Sequence, residues 1–446
     1  MKQHHFNQSL TQLLDKHSLA SNAKQQWYVA LSGGLDSICL FHLLAHYCQN
    51  RADISLKALH VHHGLSPNAD KWAQHCQNVA QSLSLDCEVL KAEIKPQAQL
   101  SLEAQARDAR YQLIEKAISG KALVFTGQHL DDQVETFLLR LNRGSGPKGL
   151  SAMSSVRPLN QSIYLVRPLL TFKRKQLVAY AEQQQLSWVD DESNLDNRFD
   201  RNYYRNEVIP ELEQRFSGFA DCVARSAQLC GEYADLVEEV AKTDLASVLD
   251  EQRLNIASLL LLSDLRQKNL IRLWLNDHQI DMPSLAQLEE LLKQIRDSES
   301  DSGLNFKLGE FSIRHYQGHL YLQKLAPDNK YCDIKWIGQA TIKLEDDRIL
   351  QMVRGQQGNL KAPDNNQQVS IRFEIPGSTK AKPYGRAGSR SVKKLLHEYS
   401  VPPWLRSRVP FIFYDEKLVA AVGLWVEQTH HCNLGEDSIE LKLTPN

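Results

Sequence analysis

What this sequence lacks narrows the field first. Long uninterrupted apolar runs are missing, so no helix is expected to span a membrane. The first residues, Met1-Lys2-Gln3-His4-His5-Phe6, hold no apolar core of a secretory signal, which points to a cytoplasmic protein. An excess of one charge is also absent: 52 Lys and Arg face 53 Asp and Glu, a net −1 over 446 residues. Global charge therefore says nothing about a nucleic-acid partner, which local patches would have to hold. Paired cysteines are lacking too. Cys39, Cys48, Cys76, Cys87, Cys222, Cys230, Cys332 and Cys432 are scattered without a Cys-x-x-Cys pair, so free thiols are expected rather than a disulfide framework. There is no internal repeat and no low-complexity tract. The length suggests two to four domains with ample core.

What is there is organised around Leu31-Ser32-Gly33-Gly34-Leu35-Asp36-Ser37, which follows Trp27-Tyr28-Val29-Ala30. The apolar stretch reads as a buried strand. Ile38, Leu40, Phe41, Leu43 and Leu44 then recur at helical spacing. A strand-to-helix turn aims free N–H groups and the positive end of the helix dipole at one point, which suits a phosphate. Gly33 and Gly34 let the backbone come close, and Ser32 and Ser37 add hydroxyls. Asp36 would repel a phosphate unless a cation lay between, and Mg²⁺ takes oxygens of both kinds. No Lys follows the glycines, so this is not the Gly-x-x-x-x-Gly-Lys-Ser/Thr loop. A plain capped turn is the bland alternative. Ser-Gly-Gly-x-Asp-Ser resembles the pyrophosphate-binding loop of the N-type ATP pyrophosphatases. Those enzymes cleave ATP to AMP and pyrophosphate by adenylating a substrate oxygen.

Up to about residue 190, strands and helices alternate. Strands are expected at Leu56–Val61, Glu88–Ile94, Ala122–Thr126 and Ile163–Val166. Helices are expected near Asn68–Leu85 with Trp72, Val79 and Leu83 on its apolar stripe, then at Ser101–Ile118, Asp131–Leu141 and Phe172–Leu186. This alternation implies a parallel sheet covered on both faces, with ligands beyond the carboxyl ends of its strands. Ser32–Ser37, His60–Leu65 and Gly127–Asp132 all fall there, so one cleft is expected. His60, His62 and His63 have no Cys or carboxylate at ligand spacing, so a structural role for one or two of them is expected first, then a donor set facing nucleotide or substrate, and zinc last. Glu103, Arg107, Arg110 and Tyr111 share a helix face behind a capping-box-like Ser101. That face is either a solvated, ion-paired one or a grip on phosphate. Asp131, Asp132 and Glu135 cluster at a helix start, where carboxylates cap the helix, hold Mg²⁺ or accept a proton from an amine. Arg143 and Lys148 lie in a basic, Gly-rich stretch that reads as a phosphate- or RNA-facing loop. Arg201 and Arg205, with Tyr203 and Tyr204, suit an ion-paired edge or contact with a flipped base.

Residues Glu211 to Lys293 read as helical. A hairpin is expected over Leu304–Gln323, turning near Gly318, and Ala326-Pro-Asp-Asn-Lys330 reads as a linker. The remainder reads as a mixed module. Within it Lys380, Lys382, Arg386, Arg390, Lys393, Lys394, Arg406 and Arg408 face a single acid, Glu398, with Tyr384, Tyr399 and Trp404 interleaved. Charge neutralisation plus stacking is how proteins hold structured RNA. A solvated basic face is the alternative.

Taken together, Ser-Gly-Gly-Leu-Asp-Ser, His-Val-His-His-Gly-Leu, Glu-Ala-Gln-Ala-Arg-Asp-Ala-Arg-Tyr, Gly-Gln-His-Leu-Asp-Asp-Gln-Val-Glu-Thr, Arg-Gly-Ser-Gly-Pro-Lys-Gly-Leu and Arg167-Pro168-Leu169-Leu170 resemble, in order, the bacterial tRNA(Ile)-lysidine synthetases. The resemblance implies an α/β fold: a parallel-sheet, Rossmann-like ATP-pyrophosphatase domain over 1–215, a mainly helical domain over 216–325, and a basic α+β domain over 326–446. It implies adenylation of the wobble cytidine of a tRNA(Ile) with a CAU anticodon, then displacement of AMP by free L-lysine, with ATP and Mg²⁺. On this reading Ser32, Gly33, Gly34, Leu35, Asp36 and Ser37 bind ATP, with Asp36 on the metal. Asp131, Asp132, Glu135 and Arg107 are catalytic. Arg110, Arg143, Lys148, Arg201, Arg205, Arg386, Arg390, Lys393 and Lys394 contact the tRNA. Self-association as a homodimer is left open. The nearest rival is a tRNA thiolase on the same loop, against which the missing Cys-x-x-Cys counts. An amidotransferase lacks its glutaminase module, and a tRNA-binding protein with a dead ATP loop is the non-enzymatic rival.

Overall fold

The computed structural model describes residues 2–20, 24–64, 67–92, 102–297, 304–325, 331–364, 366–433 and 435–444. Leu65, Ile94, Ser101 and the linker Ala326–Lys330, on which expectations fell, lie outside them. The chain forms two compact units, Met1–Val237 and Glu238–Asn446.

Unit 1 begins with α1 (Gln3–Lys16), then β1 (Gln25–Ala30), α2 (Leu35–Cys48), β2 (Ile54–His62), α3 (Ala69–Ser82) and β3 (Cys87–Lys91). There follow α4 (Leu102–Ala117), β4 (Ala122–Phe125), α5 (Leu130–Asn142), α6 (Pro147–Leu150), β5 (Val156–Pro158), β6 (Ile163–Val166) and α7 (Arg174–Gln183). The strands make one sheet in the order β3-β2-β1-β4-β6-β5. All pairs are parallel except β5 with β6. The antiparallel edge was not expected; β5 is three residues long and ends in Pro158, which only an edge tolerates. Helices α1, α2, α3 and α7 share one apolar core with Trp27, Val29 and Phe125. Helix α4, through Ile114, and Ile118 just beyond its end close the other face over Leu59, Val124 and Leu165. The buried stripe of α3 is Ala69, Ala73, Cys76 and Ala80, whose small side chains let the helix lie close to the sheet; of the expected stripe, Val79 and Leu83 pack partly buried against the same core and Trp72 does not. After α7 come α8 (Asp200–Tyr203), a π-helical turn Tyr204–Val208, α9 (Ile209–Arg215) and the long α10 (Phe219–Val248).

Unit 2 carries the end of α10, a β-ribbon of β7 (Leu249–Asp250) and β8 (Arg253–Asn255), and helices α11 (Ile256–Leu260), α12 (Asp264–Asp277) and α13 (Leu285–Asp297). Strands β9 (Asn305–Leu308), β10 (Phe311–Tyr316) and β11 (His319–Lys324) complete a five-stranded sheet with β7 and β8. The hairpin turns through Gln317 and Gly318, both at positive φ, as a two-residue loop of matching twist requires. Two further cores, around Ile371, Ile412 and Val419 and around Leu395, Phe411 and Trp425, form the last part of the chain. Among the described residues no helix is long and apolar enough to cross a membrane. All eight cysteines are free thiols.

Candidate active site

The turn between β1 and α2 is built as its residue types dictate. Gly33 has φ +90°, which L side chains rarely adopt, and its carbonyl accepts from Val189 N at 3.0 Å. The Ser37 hydroxyl donates to the Gly34 carbonyl (3.0 Å) and accepts from Ser32 N (3.2 Å), while the two hydroxyls lie 3.0 Å apart. Ser37 is thus buried inside the turn as its staple, and Ser32 is exposed. The Leu35 side chain points away into the sheet core, leaving its backbone to the turn.

A second turn, between β4 and α5, lies directly against the first. A Cβ on Gly127 would stand 2.9 Å from both the carbonyl carbon and oxygen of Asp36, and 3.0 Å from Ser37 N. Only glycine permits this approach. It brings His129, the residue before α5, to the Asp36 carboxylate. His129 is 2% exposed, with Nε2 3.5 Å from Asp36 Oδ2 and from Asp132 Oδ2, and Nδ1 3.3 Å from Asp131 Oδ2. Burial opposes a charge on this ring, but the carboxylates of Asp132, Asp131 and Asp36 prevail and raise its pKa to about 10. At neutral pH it is an imidazolium. Burial likewise works against the Asp131 carboxylate, yet His129 and the Arg174 N–H (2.8 Å) hold its pKa below the ordinary value.

Two arginines complete the centre. Glu135 is 1% exposed and both its oxygens are taken: Arg201 Nε donates to Oε2 (2.7 Å) and Arg205 Nε to Oε1 (2.6 Å). Both guanidiniums also reach Asp132 Oδ1 at 3.2 Å. Four carboxylates therefore meet three cations, and one negative charge is left over. Asp36 Oδ1 is buried without a hydrogen-bond partner. An orphaned carboxylate oxygen beside a surplus negative charge is a natural place for a hard cation.

Residues 2–212 match the family model of the PP-loop domain, 254–321 that of the TilS substrate binding domain, and 369–443 that of the TilS substrate C-terminal domain. The chain is 43% identical over 409 residues to the tRNA(Ile)-lysidine synthase of Serratia proteamaculans (strain 568), covering 91% of this chain and 92% of that one. It belongs to the tRNA(Ile)-lysidine synthase family. Such enzymes are ligases that form a C–N bond, and the PP-loop domain uses ATP. The family's enzyme from Escherichia coli O157:H7 is 39% identical over 430 residues, 94% of this chain and 96% of its own. That from Haemophilus influenzae is 39% identical over 419 residues, 90% and 95%. A solved U34-tRNA thiolase from Methanococcus maripaludis overlaps 51% of this chain and 78% of its own at 15% identity and TM-score 0.43, a likeness too slight to bear on function.

The other expected residues are dispersed. Arg107 is exposed and Arg110 half-buried on α4, with Arg110 Nη2 3.3 Å from His63 Nε2. Arg143 and Lys148 are exposed around α6. His60 is structural, its Nδ1 2.8 Å from the Leu31 carbonyl. Among the described residues no group of three or more His, Cys, Asp and Glu is arranged to hold a metal. In unit 2, Arg386 and Arg390 both pair with Glu398, the one acid of the basic stretch. Lys393 and Lys394 are exposed on α14 (Val392–Glu398). Trp404 does not stand free for a base: Tyr316 and Tyr321 pack edge-on against it at 6.1 and 5.7 Å, and Arg314 lies over it at 5.1 Å. Sequence reasoning passed over His129 and Gly127; the signal was a His and a Gly at a strand end beside a carboxylate pair.

Proposed function

We propose that the chain uses ATP to adenylate the C2 oxygen of the wobble cytidine of tRNA(Ile) with a CAU anticodon, and joins the ε-amine of free L-lysine to that carbon. The cytidine oxygen attacks the α-phosphorus and pyrophosphate leaves. The amine then attacks C2, loses a proton, and AMP leaves with the oxygen. The observation that carries this reading is the Asp36 carboxylate, half-neutralised by His129 and orphaned at Oδ1, beside a phosphate-shaped turn.

Ser32, Gly33, Gly34 and the backbone of Leu35 and Ser37 cradle the ATP phosphates. Asp36 would hold Mg²⁺, which supplies charge neutralisation between phosphate oxygens and carboxylate. Asp131 is the carboxylate we assign to the lysine amine. Its side chain is 35% exposed against 2% for Glu135, and it is held by His129 and backbone N–H groups rather than by a guanidinium. Glu135 positions Arg201 and Arg205 rather than moving protons, since no oxygen of it is free. Arg107 and Arg110 face the RNA, as do Arg143 and Lys148. The division at 1–215, 216–325 and 326–446 assigns chemistry to the first part and grip on the tRNA body to the others, with Lys393 and Lys394 at that contact. The cytoplasm is the expected place of work.

The test is pyrophosphate release from ATP with a CAU-bearing isoleucine tRNA, with and without free lysine, and mass analysis of the wobble nucleoside. Release together with a lysine-dependent mass gain on that cytidine supports the assignment. Release without lysine incorporation would reopen the choice of nucleophile, sulfur first.

A further inference from the structure

Among the described residues, a second cluster of cations in unit 1 makes no ion pair with an acid. Arg157, on β5, lies with its Cζ 5.0 Å from the Tyr111 ring centroid, and Arg107 lies 6.0 Å from the same ring. Arg110 adjoins His63. Arg167, 2% exposed, donates from Nη1 to the Ser154 carbonyl (2.7 Å) and from Nε to Gln128 Oε1 (3.2 Å), and lies close enough to Arg157 and Arg107 to feel their charges. Among the described residues none of these four arginines makes an ion pair with a carboxylate.

Crowding like charges without acids raises their energy, and burial adds to it. Both effects lower the pKa of Arg167 below the ordinary value. An oxyanion relieves both, and the planar guanidinium fork matches the oxygens of a phosphate. The cluster sits where such an anion can arrive. His63 follows β2, Arg167 follows β6, and Arg157 pairs with Leu165 near the carboxyl end of β6. These are the ends of the sheet that also carry the Ser32–Ser37 turn. The ATP phosphates already have that turn, so this site is left for another phosphate.

We propose that Arg157 and Arg107, stacked at Tyr111 and backed by Arg110 and Arg167, grip a backbone phosphate of the RNA substrate. This rests on the RNA reading given above and names the residues that hold the strand beside the reacting base. The chemistry would serve equally for released pyrophosphate, so the experiment has an arm for each source.

The full-length enzyme is titrated with an RNA hairpin bearing a CAU loop, over a range of KCl. Arg157→Gln is expected to bind about 10-fold more weakly near 0.1 M salt, with a log–log salt slope smaller by about one. Arg157→Lys, which keeps the charge, should recover most of the slope, and both variants should melt as the wild type does. Wild-type affinity and slope in Arg157→Gln would overturn the proposal. So would weakened inhibition by inorganic pyrophosphate with the RNA slope unchanged, which would give the site to the product. Should the wild-type enzyme itself fail to bind the hairpin, the RNA reading falls, and this proposal with it.

Discussion

Unit 1 uses arginine and histidine in two opposite ways. At the start of α5, Arg201, Arg205 and His129 are matched by Asp36, Asp131, Asp132 and Glu135, with one negative charge over. At Tyr111, Arg107, Arg110, Arg157 and Arg167 meet aromatic, imidazole and carbonyl groups instead. The histidines record the contrast. Among carboxylates His129 is raised to about 10, whereas His63, half-buried and beside Arg110, is lowered to about 4. Residue type therefore does not decide whether a cation is structural or waits for an anion; its neighbours do. A matched guanidinium is spent in the fold, and an unmatched one is available to a ligand.

The largest effect should come from removing the odd charge of the matched centre. Asp36→Asn is expected to cut pyrophosphate release by about 10³-fold or more while leaving RNA affinity nearly unchanged. Normal release by this variant in a single-turnover assay would sink the site. Next, Glu135→Gln strips two half-buried guanidiniums of their main partner. Urea denaturation should show a loss on the order of 3 kcal/mol, as breaking a buried pair does. A loss below about 0.5 kcal/mol would mean the arginines are not spent there, and the contrast between the two clusters would fail.

The unmatched region should reveal itself with acid. His63 binds its proton more weakly when folded (about 4) than when unfolded (6.5), so folding favours its neutral form. Its contribution is complete above pH 6.5, shrinks as pH falls toward 4, and is constant below that. His63→Asn should accordingly lose less stability than wild type between pH 7 and 4.5, by about 1–2 kcal/mol after solvent screening. Equal losses would show that neither burial nor Arg110 weakens proton binding at this ring. The smallest effect concerns unit 2, where Glu398 spends Arg386 and Arg390 but leaves Lys393 and Lys394 exposed. Replacing both lysines with Gln should lower the salt slope of tRNA binding by about two, and an unchanged slope would remove them from the interface.

Much of the fold was legible because its signals are local. The apolar run of β1, the periodicity of α2 and the Gly318 turn each announce themselves within a dozen residues. What the sequence concealed is joined over long separations. Glu135 was expected to orient lysine or take its proton, and Arg201 and Arg205 to contact RNA. They meet each other across 66 and 70 residues, a pairing no spacing rule reveals. Trp404 was read as a base-stacking residue for a similar reason, since its partners Tyr316 and Tyr321 lie on a hairpin far upstream. The ribbon Leu249–Asn255 was hidden in a stretch read as helical, because strands of two and three residues are too short to show alternation.

The missing side chain of Gly127 carries a mechanical consequence. Where two backbones come close enough that a single methyl group would strike three main-chain atoms, the turns that bear them have no slack between them. The turn of Asp36 and the turn of His129 must then travel as one lever. Whatever shifts the first on seating a nucleotide is handed on, without a side chain as messenger, to the carboxylates at the head of α5.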